Sequence, residues 1–97
     1  MAGYVIATII ITDPEAFDRY RAQVAPMIER FGGRYLVRGG KMEVMEGAVD
    51  GERVVVVEFP TIEDARAFYT SPDYAPLIAL RGVATRSNLV LVEGYVP

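Results

Sequence analysis

Arg38, Glu46, Glu58, Tyr74 and Arg81 are the side chains of this sequence best placed to act on a small molecule. Arg38 follows Tyr35-Leu36-Val37 and precedes Gly39-Gly40, so a guanidinium stands where the backbone is free to bend. Aimed into a pocket, its planar fork would hold a carboxylate or enolate oxygen. Its structural alternative is an ion pair with Glu46 or Glu58 on a neighbouring strand. Glu58 closes a run of four valines and shares a strand face with Val54 and Val56. A carboxylate on an apolar face can have a raised pKa and serve as a base; at a sheet rim it pairs with an arginine instead. Glu46 and Glu93 carry the same two readings. Tyr74 and Arg81 are seven residues apart, about two turns along one helix face. They could close a pocket over a sheet, Tyr74 donating its hydroxyl. The alternative is a core tyrosine with a wet tip and a charge at a helix C-terminus.

Composition narrows the chemistry. The chain has no cysteine and no histidine. Disulfides, thiolate nucleophiles and sulfur-ligated metals are therefore excluded, as are Ser-His-Asp and Cys-His devices. Acid–base work falls to carboxylates, Tyr, Lys, Arg or the substrate, and the expectation is a protein without a cofactor. No carboxylate cluster has the spacing of a magnesium or calcium site, so no metal is expected. Gly39-Gly40 lacks the following Lys-Ser/Thr of a phosphate loop and reads as a bulge. A net charge of -3 argues against nucleic acid as a partner, because binding it needs a basic patch. The first apolar run stops at Asp13-Pro14, too short to span a membrane and without a basic leader. The expected location is the cytoplasm, with no membrane partner.

The elements that must position these residues follow from periodicity. Tyr4 to Ile11 reads as a strand. Thr12-Asp13-Pro14-Glu15 opens a helix, either with Thr12 as cap and Glu15 completing a capping box, or with Asp13 as cap and Pro14 in the first turn. Phe17, Tyr20, Val24, Ile28 and Phe31 form a helical stripe, read as core, with Pro26 predicting a kink and Gly32-Gly33 a stop. Arg34 to Arg38 is extended. Lys41 to Glu46 is extended again, either as the second arm of a short hairpin or, the preferred reading, as one strand bent at a glycine bulge. After the Asp50-Gly51 turn, Arg53 to Phe59 is the most β-prone segment. Thr61 caps a second helix carrying Ile62, Ala65, Phe68 and Tyr69. Ser71-Pro72 breaks it, a helical piece runs from about Asp73 to Ala84, and Asn88 to Tyr95 is the last strand. The order is β-α-β-β-α-β in one domain over residues 1–97, a ferredoxin-like α+β fold with a four-stranded antiparallel sheet.

The strands are apolar on both faces: Tyr4 to Ile11 has Thr8 as its one clearly polar side chain, and Val54 to Val57 and Leu89 to Val92 are unbroken. A strand wet on one side alternates. A chain of 97 residues can cover only one face with helices, so the other calls for a second copy, giving a homodimer through the open sheet face, a dimeric α+β barrel.

The segments Tyr4-Val5-Ile6, Thr12-Asp13-Pro14-Glu15-Ala16-Phe17, Gly32-Gly33-Arg34-Tyr35-Leu36-Val37-Arg38-Gly39-Gly40, Val57-Glu58-Phe59-Pro60, Ser71-Pro72-Asp73-Tyr74, Ala79-Leu80-Arg81 and Leu91-Val92-Glu93-Gly94 stand in a distinctive order and spacing. Together they resemble the family catalogued as domain of unknown function 1330, of the dimeric α+β barrel superfamily. The resemblance implies the fold and the dimer, and the family itself has no assigned activity. The wider superfamily includes cofactor-independent monooxygenases, isomerases and dehalogenating enzymes, many of which use a histidine that this chain lacks.

The functional expectation is a pocket between helices and sheet, with Arg38, Glu58, Tyr74 and Arg81 as its polar contacts. It would bind or transform a small organic acid, phenol or enolisable carbonyl compound, with a carboxylate as base and Arg38 on the anion. The alternative is a non-catalytic dimeric binding or structural module whose polar groups are spent in ion pairs.

Overall fold

The computed structural model describes residues 1–97. Its elements are β1 (Gly3–Ile11), α1 (Pro14–Arg30), β2 (Arg34–Lys41), β3 (Arg53–Phe59), α2 (Ile62–Thr70), α3 (Ala75–Ala84) and β4 (Thr85–Glu93). The strands form one antiparallel sheet in the order β2-β3-β1-β4. The three helices cover one face of it, and the Cα envelope is only 16 Å thick against 36 and 35 Å across. That is the thickness of one helix layer on one sheet, so the fold expected from the sequence is present.

Local chemistry sets the ends of the elements. Asp13, not Thr12, caps α1, its side chain accepting from the Ala16 amide at 3.2 Å with Pro14 in the first turn. α1 runs on through Pro26 as one helix and stops where Gly32 turns left-handed at φ +84°. Thr61 caps α2 by accepting from the Asp64 amide at 3.1 Å. Gly3 is required where α2 begins: a Cβ there would stand 2.5 Å from the Ile62 Cα, so the absence of a side chain lets α2 seat directly on β1.

Two strand assignments need correction. Lys41 to Glu46 is not extended: β2 ends at Lys41, and Met42 to Glu52 is a loop that returns through a Met42 amide to Glu52 carbonyl bond of 3.4 Å. The glycine bulge is present, with Gly39 at φ +76° and a register shift between Arg38 and Gly40, but it closes the strand rather than bending it onward. β4 begins at Thr85, three residues before Asn88, and ends at Glu93 rather than Tyr95. Helix α3 passes into it without a loop, and the Thr85 hydroxyl donates to the Arg81 carbonyl at 2.8 Å to cover the helix end. Thr85, Arg86 and Ser87 lack apolar pattern, yet they pair with Ile11, Ile10 and Ile9 because β1 offers an unpaired edge there.

Burial separates the two sheet faces. Val5, Ala7 and Ile9 of β1, with Val57 and Phe59 of β3, lie under the helices and are buried. The core continues upward through Tyr20, Val24, Met27, Ile28, Phe68, Tyr74 and Leu77. The other face carries Tyr4, Ile6, Thr8 and Ile10, beside Val54, Val56, Val90 and Val92 in register with them. Val90 is 53% and Val92 40% exposed, so an apolar row lies open to solvent. No helix of the chain is long and apolar enough to cross a membrane.

Candidate functional site

A cavity of about 70 Å³ lies between the helix layer and the sheet. Its floor is the buried sheet face, including Val5, Ala7, Val55 and Val57, and its roof includes Phe17, Val24 and Phe68. The polar side chains that reach it are Tyr20 and Arg21 of α1, Tyr35 and Arg38 of β2, and Tyr74 and Arg81 at α3. Three of these are arginines, and no Asp or Glu lines the cavity.

Its inner end is built by α1 and α3. Tyr74 sits at the N-terminal cap of α3 and Arg81 in its last turn, so both project from one helix face. They meet: an Arg81 Nη1–H donates to the Tyr74 hydroxyl at 2.7 Å. The Tyr20 hydroxyl lies 2.7 Å from that of Tyr74. Tyr74 is 1% and Arg81 8% exposed. An arginine this deep normally has a carboxylate beside it. Arg81 has none; the ion pairs of the chain are Arg21–Asp18, Arg30–Asp73, Arg34–Glu58 and Arg86–Asp50. Burial, reinforced by the neighbouring Tyr20 hydroxyl, pushes the Tyr74 phenol far above its ordinary range, so Tyr74 stays protonated. Tyr20 reads from the sequence as plain core; the signal for more is that a buried tyrosine hydroxyl needs a partner.

The outer end is at β2. Arg38 is exposed at the mouth, its guanidinium 4.7 Å above the Tyr35 ring. Burial raises the Tyr35 phenol, opposed by the charge of Arg38. Arg38 reaches the cavity because of a bulge. Tyr35 pairs with Val57, Val37 with Val56 and Arg38 with Val55, so Leu36 is the extra residue and Tyr35 and Arg38 share a face despite being three apart. The Gly39 carbonyl beyond it accepts from Arg53 Nη1 at 3.2 Å, which holds the second bulge.

Glu58 does not belong to this cavity. It pairs with Tyr4 on the open sheet face, where it accepts from Arg34 Nε at 2.8 Å and from the Tyr4 hydroxyl at 3.1 Å. Its partner is Arg34 rather than Arg38, and it cannot act as a base on a ligand held under the helices. Glu46 lies in the exposed Met42–Glu52 loop and does not line the cavity either. Glu93 ends β4 and is exposed.

The Glu58 cluster gives a pH-dependent expectation. The Arg34 hydrogen bond, then that from Tyr4, holds the Glu58 carboxyl below its ordinary value of 4.5. The folded state therefore binds this proton less readily than the unfolded chain. The contribution is complete above the ordinary value and is lost as pH falls through the lowered one. Glu58→Gln is expected to remove that part of the acid-side loss: melting temperatures of variant and wild type should converge as pH drops below 4.5. A difference that stays constant through that range would mean that the carboxylate's charge contributes nothing.

The architecture is that of the ferredoxin-like α+β proteins, with an Arg- and Tyr-lined cavity beneath the helices. The chain belongs to the family described as Domain of unknown function (DUF1330), whose model matches residues 2–95. Comparison with curated proteins gave no match. Among solved structures, the chain is similar to a protein of unknown function from Rhodopseudomonas palustris, at 21% identity and TM-score 0.76 over 99% of this chain and 84% of that one. It is also similar to SnoaB, a cofactor-independent oxygenase from Streptomyces nogalater, at 14% identity and TM-score 0.67 over 99% and 95% of the two chains. A dimeric ferredoxin-like protein of unknown function from Thermobifida fusca matches at 13% identity and TM-score 0.56 over 96% and 91%. At these identities what is shared is the fold.

Proposed function

We propose that this chain binds a small organic acid, phenol or enolised carbonyl compound as its anion, in the cavity between helices and sheet, and works as a homodimer joined through the open sheet face. The observation that carries the binding site is Arg81: a cation 8% exposed, without a carboxylate partner, in a cavity that no acidic side chain lines. Burying such a charge costs several kcal/mol, on the order of that for any ion taken from water, unless an anion joins it.

Proton counting supports the same reading. Arg81 donates to Tyr74, and the contact between Tyr74 and Tyr20 uses one of their two hydroxyl protons. Whichever tyrosine donates to the other, one O–H remains to be given to a ligand oxygen. The inner end thus offers a guanidinium and a phenol to a carboxylate, phenolate or enolate, the donor set that stabilises developing negative charge. Tyr74 stays neutral and so acts as donor, not base. The chemistry available here is holding an oxyanion by charge and hydrogen bond.

The dimer rests on the uncovered face. Four strands about 4.8 Å apart and about 30 Å long present roughly 500 Å² in projection, a face apolar at its centre with Thr8, Asn88 and Glu58 also on it. Its middle is Ile6, Val56 and Val90, in register across three strands. The Thermobifida fusca neighbour is described as dimeric, which supports a dimer on this fold.

Native mass spectrometry of the purified protein, with and without benzoate, tests both parts. The expected spectrum is twice the 10.7 kDa chain mass, with one benzoate per chain at millimolar ligand. A monomer at micromolar concentration would overturn the dimer. The absence of saturable uptake of benzoate and of small aliphatic monoacids would overturn the anion site.

A further inference from the structure

We infer that the natural ligand is a dianion, a small molecule carrying a carboxylate or equivalent oxyanion at each end of an apolar middle. This rests on the anion site proposed above and specifies its substrate class.

The cavity has two cationic ends and nothing acidic between them. At the inner end is Arg81, buried and hydrogen-bonded to Tyr74. At the outer end is Arg38, exposed at the mouth and, like Arg81, outside every ion pair of the chain. Arg21 also lines the mouth, but Asp18 holds it at 3.3 Å on the solvent side. The ends come from different parts of the fold: Arg81 from α3, which packs on α1 and β4, and Arg38 from β2 at the opposite edge of the sheet. The walls include Val5, Ala7, Val55, Val24 and Phe68, and besides the arginines and Tyr74 the polar groups on them are the Tyr20 and Tyr35 hydroxyls, which donate to an oxyanion as readily as to water.

A monoanion on Arg81 would leave Arg38 facing an apolar passage. A dianion would meet a guanidinium at both ends and lay its carbon skeleton on the valines. The bulge at Leu36 turns Arg38 to this side of the sheet, and regular alternation from Tyr35 would have turned it to the other. Tyr35 then fixes the guanidinium in place by stacking. A cavity of about 70 Å³ holds about six waters, which limits the ligand to about ten non-hydrogen atoms. Dicarboxylic acids of four to six carbons are about this size.

The test is calorimetric titration of the intact protein at fixed ionic strength with succinate, glutarate and adipate, each against the monoacid of equal chain length. At least one diacid is expected to bind about tenfold more tightly than its monoacid, one added charge-assisted hydrogen-bonded pair. In Arg38→Met that ratio is expected to fall toward one. Monoacids binding as tightly as every diacid would overturn the dianion and leave the anion site standing. A diacid advantage that survives Arg38→Met would overturn the role of Arg38, and with it the two-ended assignment. Binding of neither series would remove the underlying site and this inference together.

Discussion

Val56→Asp is expected to convert the proposed dimer to a folded monomer. Val56 occupies the middle of the open sheet face, paired with Ile6 on one side and Val37 on the other. In the isolated chain its side chain is only partly covered, so aspartate there costs the fold about 1 kcal/mol of strand preference. In the proposed dimer the same side chain would be enclosed by a second apolar sheet. Losing a buried valine removes about 2 kcal/mol, and the two-fold axis applies the loss twice. An unpaired carboxylate in each copy adds to it, so the total exceeds about 4 kcal/mol, or a factor of about 1,000 in dissociation constant. Light scattering after size exclusion, over a range of concentrations, checks it. Circular dichroism should retain the sheet signal. A variant that remains dimeric at low micromolar concentration would mean that the subunits meet elsewhere. Glu58 is the internal control: it lies on the same face two residues along, but at the rim, where Arg34 and Tyr4 already satisfy it.

The sequence makes the fold readable for a physical reason that also hides part of the site. Helix stripes, caps and the Gly32 stop are local, and they appear where the residues place them. The two-sided apolarity of β1 and β3 points to a sheet covered on both faces. Because both faces of β3 are valine rows, however, the same pattern does not say which one the helices take. Glu58 could therefore be assigned to the pocket, and only the burial of Val57 and Phe59 under the helices turns it to the far side. Arg38 is the opposite case. Alternation from Tyr35 would direct it away from the helices, and the bulge at Leu36 carries no glycine to announce it. Lys41 to Glu46 reads as extended because Met42 and Val44 alternate with Lys41 and Glu43, yet beyond Lys41 no neighbouring strand continues the ladder. The meeting of Tyr74 with Arg81 was legible from helical spacing alone. The third member, Tyr20, comes from another helix, and no local pattern reports a contact 54 residues distant.

Arg81→Met is expected to weaken anion binding about 30- to 150-fold while leaving the melting temperature nearly unchanged. The two readings of a buried arginine differ here in magnitude. An arginine that serves as structure stabilises through a paired carboxylate, and removing it leaves that carboxylate buried and alone, at about 3–5 kcal/mol. Arg81 has no such partner, so its removal strands no charge. What is lost is one donor to Tyr74, about 1.5–3 kcal/mol for a hydrogen bond from a charged group. What is gained is relief from holding a guanidinium away from water, together with methionine's fit to an apolar site. Tyr74 keeps its contact with Tyr20 and its ring packing on Phe68 at 4.4 Å. These terms nearly cancel, whereas binding loses its main charge. A charge-assisted pair in a water-poor cavity contributes about 2–3 kcal/mol, so affinity for benzoate should fall about 30- to 150-fold. Arg81→Lys should recover only part of it, since lysine retains the charge but not the fork that serves Tyr74 and a ligand together. Thermal melts and calorimetry on the same preparations decide between the readings. Weak binding with an intact melt makes Arg81 the ligand's counter-charge. A melt lowered by about 10 °C or more with binding retained would make it a structural residue and remove the anion site with it.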